Sequence, residues 1–290
     1  MARIWHRGLR RVAKSEKGDD MSIKAIMCDV DGTLLTSEHV CLSRTAQAIR
    51  AVREQGVLFG LCTGRDVVGV ERVLDAWGLT GLIDAIVGCG GAEVRDYAHD
   101  VFELNHPLPG DAIAEVMGHF SDLPVSFVIP ERGVLYAPVY DHRLERLSQV
   151  DQLPYEVIDF ADFLQRPHAK LMLSCEPENM DTVVERAATF SSDRYRSASL
   201  ITSARLYEYM DPRVSKPNGL ERLAELNGFT LDEICAFGDA DNDEAMVAAV
   251  GVGVAMANGS ERTRAAADAV TEDNDHDGIA VYLEQHILGR

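Results

Sequence analysis

Short apolar runs alternate with helical patterns at both ends of this chain, and the stretch between them breaks the alternation. Residues 23–28 (IKAIMC) read as a buried strand, after which Leu42, Ala46, Ile49 and Val52 recur at helical spacing and stop at Gly56. Val57 to Cys62 form a second apolar run. Val67, Val70, Leu74 and Trp77 mark another helix ended by Gly78, and Ile83 to Val87 read as a third strand. Beyond Pro217 the alternation returns: a helix through Leu220, Leu223 and Leu226, the strand Ile234–Phe237, a helix near 243–249 and the strand Val252–Met256. Parallel strands need crossover connections, usually helical, so this order implies an α/β fold with a parallel sheet.

The middle, about 93–210, is different. Its strand-like runs (Val101–Leu104, Val125–Ile129, Val134–Ala137, Lys170–Ser174, Leu206–Met210) are more crowded, with helices expected at 110–120 and 177–190. The expected organisation is a core made of 21–92 and 211–290, split by an inserted α/β segment at 93–210. No internal repeat is visible.

Composition narrows the function classes. At 290 residues with 46% hydrophobic and 26% charged residues, the chain is long enough for a sizeable core and is not low-complexity. Lys and Arg total 28 against 47 Asp and Glu, a net charge of -19. Nucleic acid and anionic membrane surfaces are therefore poor partners. A small anionic substrate is compatible if a metal ion supplies local positive charge. No apolar run approaches the roughly 18 residues of a membrane span. Six cysteines without a Cys-x-x-Cys pair fit reduced thiols and a cytoplasmic location. The first 20 residues are basic (Arg3, Arg7, Arg10, Arg11, Lys14, Lys17) with no hydrophobic signal stretch after them. They read as a disordered extension, or as lying ahead of a true start at Met21. Nothing in the sequence speaks to oligomeric state.

Four stretches carry chemistry. Asp29-Val30-Asp31-Gly32-Thr33 follows the first strand, where parallel sheets present functional groups. Two neighbouring carboxylates repel, so a cation or a shared proton is expected between them; capping carboxylates in a turn are the blander reading. Thr63-Gly64-Arg65 follows the second strand, and a hydroxyl with backbone N–H groups at a strand-to-helix turn suits an anionic oxygen. An N-cap by Thr63 or Asp66 would explain the same residues. Lys216 precedes Pro217, which suits the first position of a helix. Gly238-Asp239-Ala240-Asp241-Asn242-Asp243 ends another apolar strand and places three carboxylates within five residues.

In that order the four stretches resemble the haloacid dehalogenase superfamily of phosphohydrolases: an Asp-x-Asp-Gly-Thr loop, a Ser/Thr, a Lys and a Gly-Asp-x-x-Asn-Asp loop. The closing stretch, Gly253 to Gly259 and Asn274 to Ile279, is similar to the Cof-type branch, class IIB, and the likeness spans about 22–288. The resemblance implies a Rossmann-like core with an inserted C2-type cap, and a Mg²⁺-dependent phosphatase acting on a small phosphorylated metabolite. Asp29 would be the nucleophile, forming an aspartyl phosphate; Asp31 would protonate the leaving oxygen and then activate water. Mg²⁺ would be held by the Asp29 carboxylate, the Asp31 main-chain carbonyl and Asp239, with Asp243 directly or through water. Thr63, Gly64, Arg65 and Lys216 would bind the phosphoryl group, with Asn242 positioning it or Lys216. The chain departs from the family at Gly90, where Asn is frequent, and at Pro217, where Gly commonly follows the Lys. A phosphomutase of the same superfamily and a non-catalytic phospholigand-binding module are the alternatives.

Asp273, Asp275, Asp277, Gly278 and Glu284 match calcium EF-hand spacing. The motif needs an entering helix, whereas Ala267 to Thr271 read as a strand, so a polar loop near the active site, ahead of the final helix, is expected there. Asn258-Gly259-Ser260 matches a glycosylation acceptor without a secretory signal.

Overall fold

The computed structural model describes residues 23–289; the basic first 20 residues and the start at Met21 fall outside the described residues. In chain order its strands are β1 (Ala25–Cys28), β2 (Leu58–Cys62), β3 (Ala85–Gly88), β4 (Glu93–Asp96), β5 (Val101–Leu104), β6 (Ser126–Glu131), β7 (Val134–Ala137), β8 (Tyr155–Val157), β9 (Leu171–Ser174), β10 (Ala198–Ser203), β11 (Leu206–Met210), β12 (Ile234–Gly238), β13 (Val252–Ala255) and β14 (Ala269–Val270). The chain divides into two compact units. One holds the described residues up to Leu61, Trp77–Asp84 and those from Ala224 onward; the other holds Cys62–Ala76 and Ala85–Leu223.

In the first unit the strands are ordered β14-β13-β12-β1-β2, every pair parallel. Every residue of β1 and β12 is buried. That double-sided burial is why these strands read as continuous apolar runs without alternation. The register aligns Cys28 with Phe237 and with Leu61, and Gly238 with Ala255, so the strands finish together. Ser43–Glu54 turns Ala46, Ile49 and Val52 inward, as its helical spacing predicts. This helix is tied to the helix Gly278–His286 by an Arg44–Glu284 ion pair at 2.6 Å.

The second unit carries an antiparallel run β3-β4-β5 and a six-stranded sheet ordered β10-β11-β9-β6-β7-β8. Within the six-stranded sheet every pair is antiparallel except β7 with β8. Alternate residues of β6 and β9 serve different clusters. Ile129, Leu171 and Leu173 pack with Ile113, Phe120 and Val183. Val128 and Met172 pack with Leu144 and Leu147. Apolar groups are thus needed at successive positions, which accounts for the crowded runs in the middle of the sequence.

None of the six cysteines is joined in a disulfide. Among the described residues no helix is long and apolar enough to cross a membrane. The segment with EF-hand spacing lacks an entering helix: the helix Glu261–Ala266 ends before β14, and Asn274–His276 is a single 3-10 turn.

Candidate active site

The first unit builds an acidic centre at the carboxyl ends of β1 and β12. The Asp29 N–H donates to the Phe237 carbonyl at 2.9 Å, extending the ladder by one residue and seating Asp29 beside β12. The chain then turns back on itself, with the Leu34 and Leu35 N–H groups both donating to the Val30 carbonyl at 3.1 and 3.0 Å. Gly32 sits in this turn at φ +84°, a left-handed conformation that favours glycine. A Cβ there would also lie 2.6 Å from Asp239 Oδ2. The following Thr33 hydroxyl donates to Asp239 Oδ1 at 2.6 Å. In the Asp-Gly-Thr triplet, then, glycine makes room for a distant carboxylate and threonine holds it.

Asp243 organises the loop after β12. It is fully buried, and its Oδ2 accepts the Asp239 and Ala240 N–H groups at 3.0 Å each. Thr263 fixes the same loop by donating to the Ala240 carbonyl at 2.6 Å. Asp29, Asp239 and Asp243 each offer a carboxylate oxygen, and these oxygens lie within 4.8 Å of one another. Three buried or half-buried carboxylates this close repel strongly, and a cation among them would remove the repulsion. The donor set is all hard oxygen, which suits Mg²⁺ or Ca²⁺ rather than a thiolate-loving metal. Asn242 supplies a second indication: its Oδ1 is buried without a hydrogen-bond partner. Such an orphan is costly, and a cation-bound water or a cationic side chain would satisfy it. The acidic cluster therefore fits a divalent metal. The exposed Asp31 carboxylate is not part of it.

The second unit positions Thr63, Gly64, Arg65 and Lys216. Thr63, buried at the end of β2, receives the Gly90 N–H on its carbonyl at 2.9 Å and gives its own N–H to the Val87 carbonyl at 2.8 Å. The Arg65 N–H donates to Thr63 Oγ1 at 3.2 Å. The Arg65 guanidinium donates to the Asp151 carbonyl at 3.1 Å and lies 3.8 Å from its carboxylate. Asp66 rather than Thr63 caps the next helix, accepting the Gly69 N–H. Lys216 is buried at the first residue of the helix Lys216–Asn227, with Pro217 second rather than first. Gly91, at φ +115°, packs so tightly on this helix entry that a Cβ would lie 2.0 Å from the Ser215 carbonyl oxygen. One turn, Cys89–Gly91, thus touches both the Thr63 main chain and the approach to Lys216.

Some contributors were not foreseen. Asn258, given no site role in the sequence beyond its place in the closing stretch and a glycosylation-acceptor match, donates to the Gly32 carbonyl at 2.8 Å and accepts the Asn274 N–H at 3.3 Å. Asn274 in turn donates to the Leu35 carbonyl. Asp275 takes the Ser37 N–H at 2.8 Å, and Asp277 the Thr45 hydroxyl at 2.9 Å. The acidic loop with calcium-like spacing therefore spends its oxygens holding the segment after β1. A run of Asn and Asp following a strand is the available signal, but its target cannot be read from spacing.

Comparison with known proteins agrees with this geometry. A family model described as haloacid dehalogenase-like hydrolase matches residues 26–283. The chain is 27% identical over 281 residues to YxeH of Bacillus subtilis (strain 168), covering 92% of this chain and 99% of that one. It is 25% identical over 280 residues to pyridoxal phosphate phosphatase YbhA of Escherichia coli (strain K12), covering 92% and 100%. The solved structure of BT4131, described as a HAD subclass IIB sugar phosphatase, matches with TM-score 0.75 and 21% identity over 90% of this chain and 98% of its own.

Proposed function

Since the chain belongs to the haloacid dehalogenase-like hydrolases, and is a phosphoric monoester hydrolase among them, we propose that it is a Mg²⁺-dependent phosphatase of a small phosphorylated metabolite working through an aspartyl phosphate. The observation that carries the reading is the cluster of Asp29, Asp239 and Asp243 at the ends of neighbouring parallel strands.

In this reading Asp29 attacks phosphorus and the bond to the leaving oxygen breaks. Asp31, an exposed residue, protonates that oxygen. It then takes a proton from the water that cleaves the acyl phosphate, releasing phosphate and regenerating Asp29. Mg²⁺ held by Asp29, Asp239, Asp243 and the Asp31 main-chain carbonyl would neutralise phosphoryl oxygens and offset repulsion between phosphate and nucleophile. Thr63, the Gly64 N–H and Lys216 bind the remaining phosphoryl oxygens, and Asn242 orients Lys216 or the phosphate. Positioning and charge neutralisation of this kind supply most of the catalysis in phosphoryl transfer.

The core–cap division at 93–210 is part of the same proposal, with the inserted segment selecting the substrate and excluding water. The names carried by YbhA and BT4131 support a phosphorylated cofactor or a sugar phosphate as the substrate class. The test is turnover of p-nitrophenyl phosphate and of a panel of phosphorylated metabolites, with Mg²⁺ and with EDTA. D29N is the inactive control. Turnover insensitive to EDTA, or unaffected by D29N, would refute the mechanism.

A further inference from the structure

Beneath the turn after β2 lies a buried ion pair that the proposed reaction leaves unused. Lys170, next to β9, is 2% exposed and donates to Glu208 Oε1 on β11 at 2.7 Å. The same ammonium donates to the Gly64 carbonyl at 2.8 Å. Burial alone would push the Lys170 pKa down, but Glu208 beside it carries it above the ordinary lysine value, so the charge is kept. A buried ion pair seldom stabilises a fold more than apolar side chains of the same volume. Its consequence lies in what it holds.

The Gly64–Arg65 peptide is planar, so its carbonyl and its N–H point in opposite directions. Anchoring the Gly64 carbonyl on Lys170 turns the Arg65 N–H the other way, and that N–H is the one that donates to Thr63 Oγ1 at 3.2 Å. A hydroxyl that accepts from the main chain keeps its own proton for another acceptor. Aligned hydrogen bonds also polarise one another, so the ammonium strengthens the next donor in the line.

We propose that Lys170 and Glu208 are positioning residues for phosphate binding: through the Gly64–Arg65 peptide they hold the Thr63 hydroxyl so that its proton faces a phosphoryl oxygen. The inference rests on the reading of Thr63 as a phosphate ligand given above.

The test is a thermodynamic cycle on the full chain: calorimetric binding of inorganic phosphate in Mg²⁺ to the unaltered protein, T63V, K170M/E208L and the triple variant. Removing both charges together avoids stranding one of them, and thermal melts confirm that each variant is folded. T63V is expected to weaken binding about tenfold, the order of one hydrogen bond to a charged group. K170M/E208L should weaken it by about three- to tenfold, and the triple variant should bind no more than about twofold weaker than T63V. A folded K170M/E208L with unchanged binding overturns the proposal, as do effects that simply multiply. If T63V binds phosphate like the unaltered chain, the reading of Thr63 has failed and the relay with it. Binding is read without turnover, so failure of the phosphatase reading shows separately, as an unaltered chain that binds phosphate and releases none from esters.

Discussion

Asp243 combines two jobs that substitution can separate. Its Oδ2 accepts two main-chain N–H groups, from Asp239 and Ala240, while the carboxylate also stands in the three-acid cluster. In D243A both donors lose a charged acceptor inside the protein, at about 1.5–3 kcal/mol each. Allowing for water entering the gap, the loss is about 4 kcal/mol. At about 2–4 °C per kcal/mol this lowers the melting temperature by on the order of 10 °C. In D243N the amide oxygen can accept the same two N–H groups, and one negative charge is gone. At 4.8 Å, the upper bound on the oxygen separations in the cluster, a pair of like charges in an effective dielectric of about 20 costs about 3 kcal/mol. In EDTA, D243N should therefore melt no lower than about 2 °C below the unaltered protein, and can melt above it. Adding Mg²⁺ at about a hundred times its dissociation constant should stabilise the unaltered protein by about 2.7 kcal/mol and D243N by much less. Differential scanning calorimetry of the three proteins, each in EDTA and in Mg²⁺, reads all of this. If D243N falls as far as D243A in EDTA, the repulsion argument is wrong. If D243N keeps the full Mg²⁺ increment, Asp243 is not a ligand.

Further outcomes follow from other contacts. D31N should cut the turnover number by about 10²–10⁴-fold, and a loss below about fivefold in steady-state assays would remove Asp31 as the acid–base group. N258A frees the Gly32 carbonyl at an exposed position and should lower kcat by about tenfold while moving the melting temperature by less than about 2 °C, since exposed hydrogen bonds add little stability; a large stability loss with normal turnover would contradict it. Glu93 is pushed up to about 7, chiefly by burial and against the pull of its hydrogen bond from the Val67 N–H. The folded state therefore holds a proton that the unfolded state releases near the ordinary carboxylate value of 4.5. Stability from this group is present at low pH, falls between about 4.5 and 7, and is flat above. E93Q keeps the acceptor and should raise the melting temperature at pH 8 but hardly at pH 4.5; an equal shift at both ends would show that ionisation is not the cause.

The parallel core was readable because its strands are buried on both faces. AIMC, LFGLC and ICAFG can be little else when helical patterns separate them. The charge argument, that a carboxylate ending an apolar strand conflicts with its surroundings, pointed equally to Asp29, Asp31, Asp239, Asp241 and Asp243; the structure gathers Asp29, Asp239 and Asp243 and leaves Asp31 and Asp241 exposed, a division that spacing does not carry. The edge strand β10, half exposed along its length, carried no such contrast. The helix His142–Asp151 buries only Leu144 and Leu147, too thin an apolar stripe to register, although Asp141 caps it. Asn258, Lys170 and Glu208 were invisible for a different reason: each acts on a main-chain carbonyl or on its partner's charge, through pairings of distant residues that carry no local pattern. Thr33 showed itself only as a letter in a motif, its hold on Asp239 being a fact of three dimensions.

The clasp between Thr33 and Asp239 joins positions 206 residues apart. A ribosome making this chain releases the turn that holds Asp29 and Thr33 long before Asp239 and Asp243 emerge to complete the cluster. Under the proposed function, the nascent polypeptide until then carries an attacking group with no metal seat. On that reading catalysis waits for the second loop, with no separate inhibitor required.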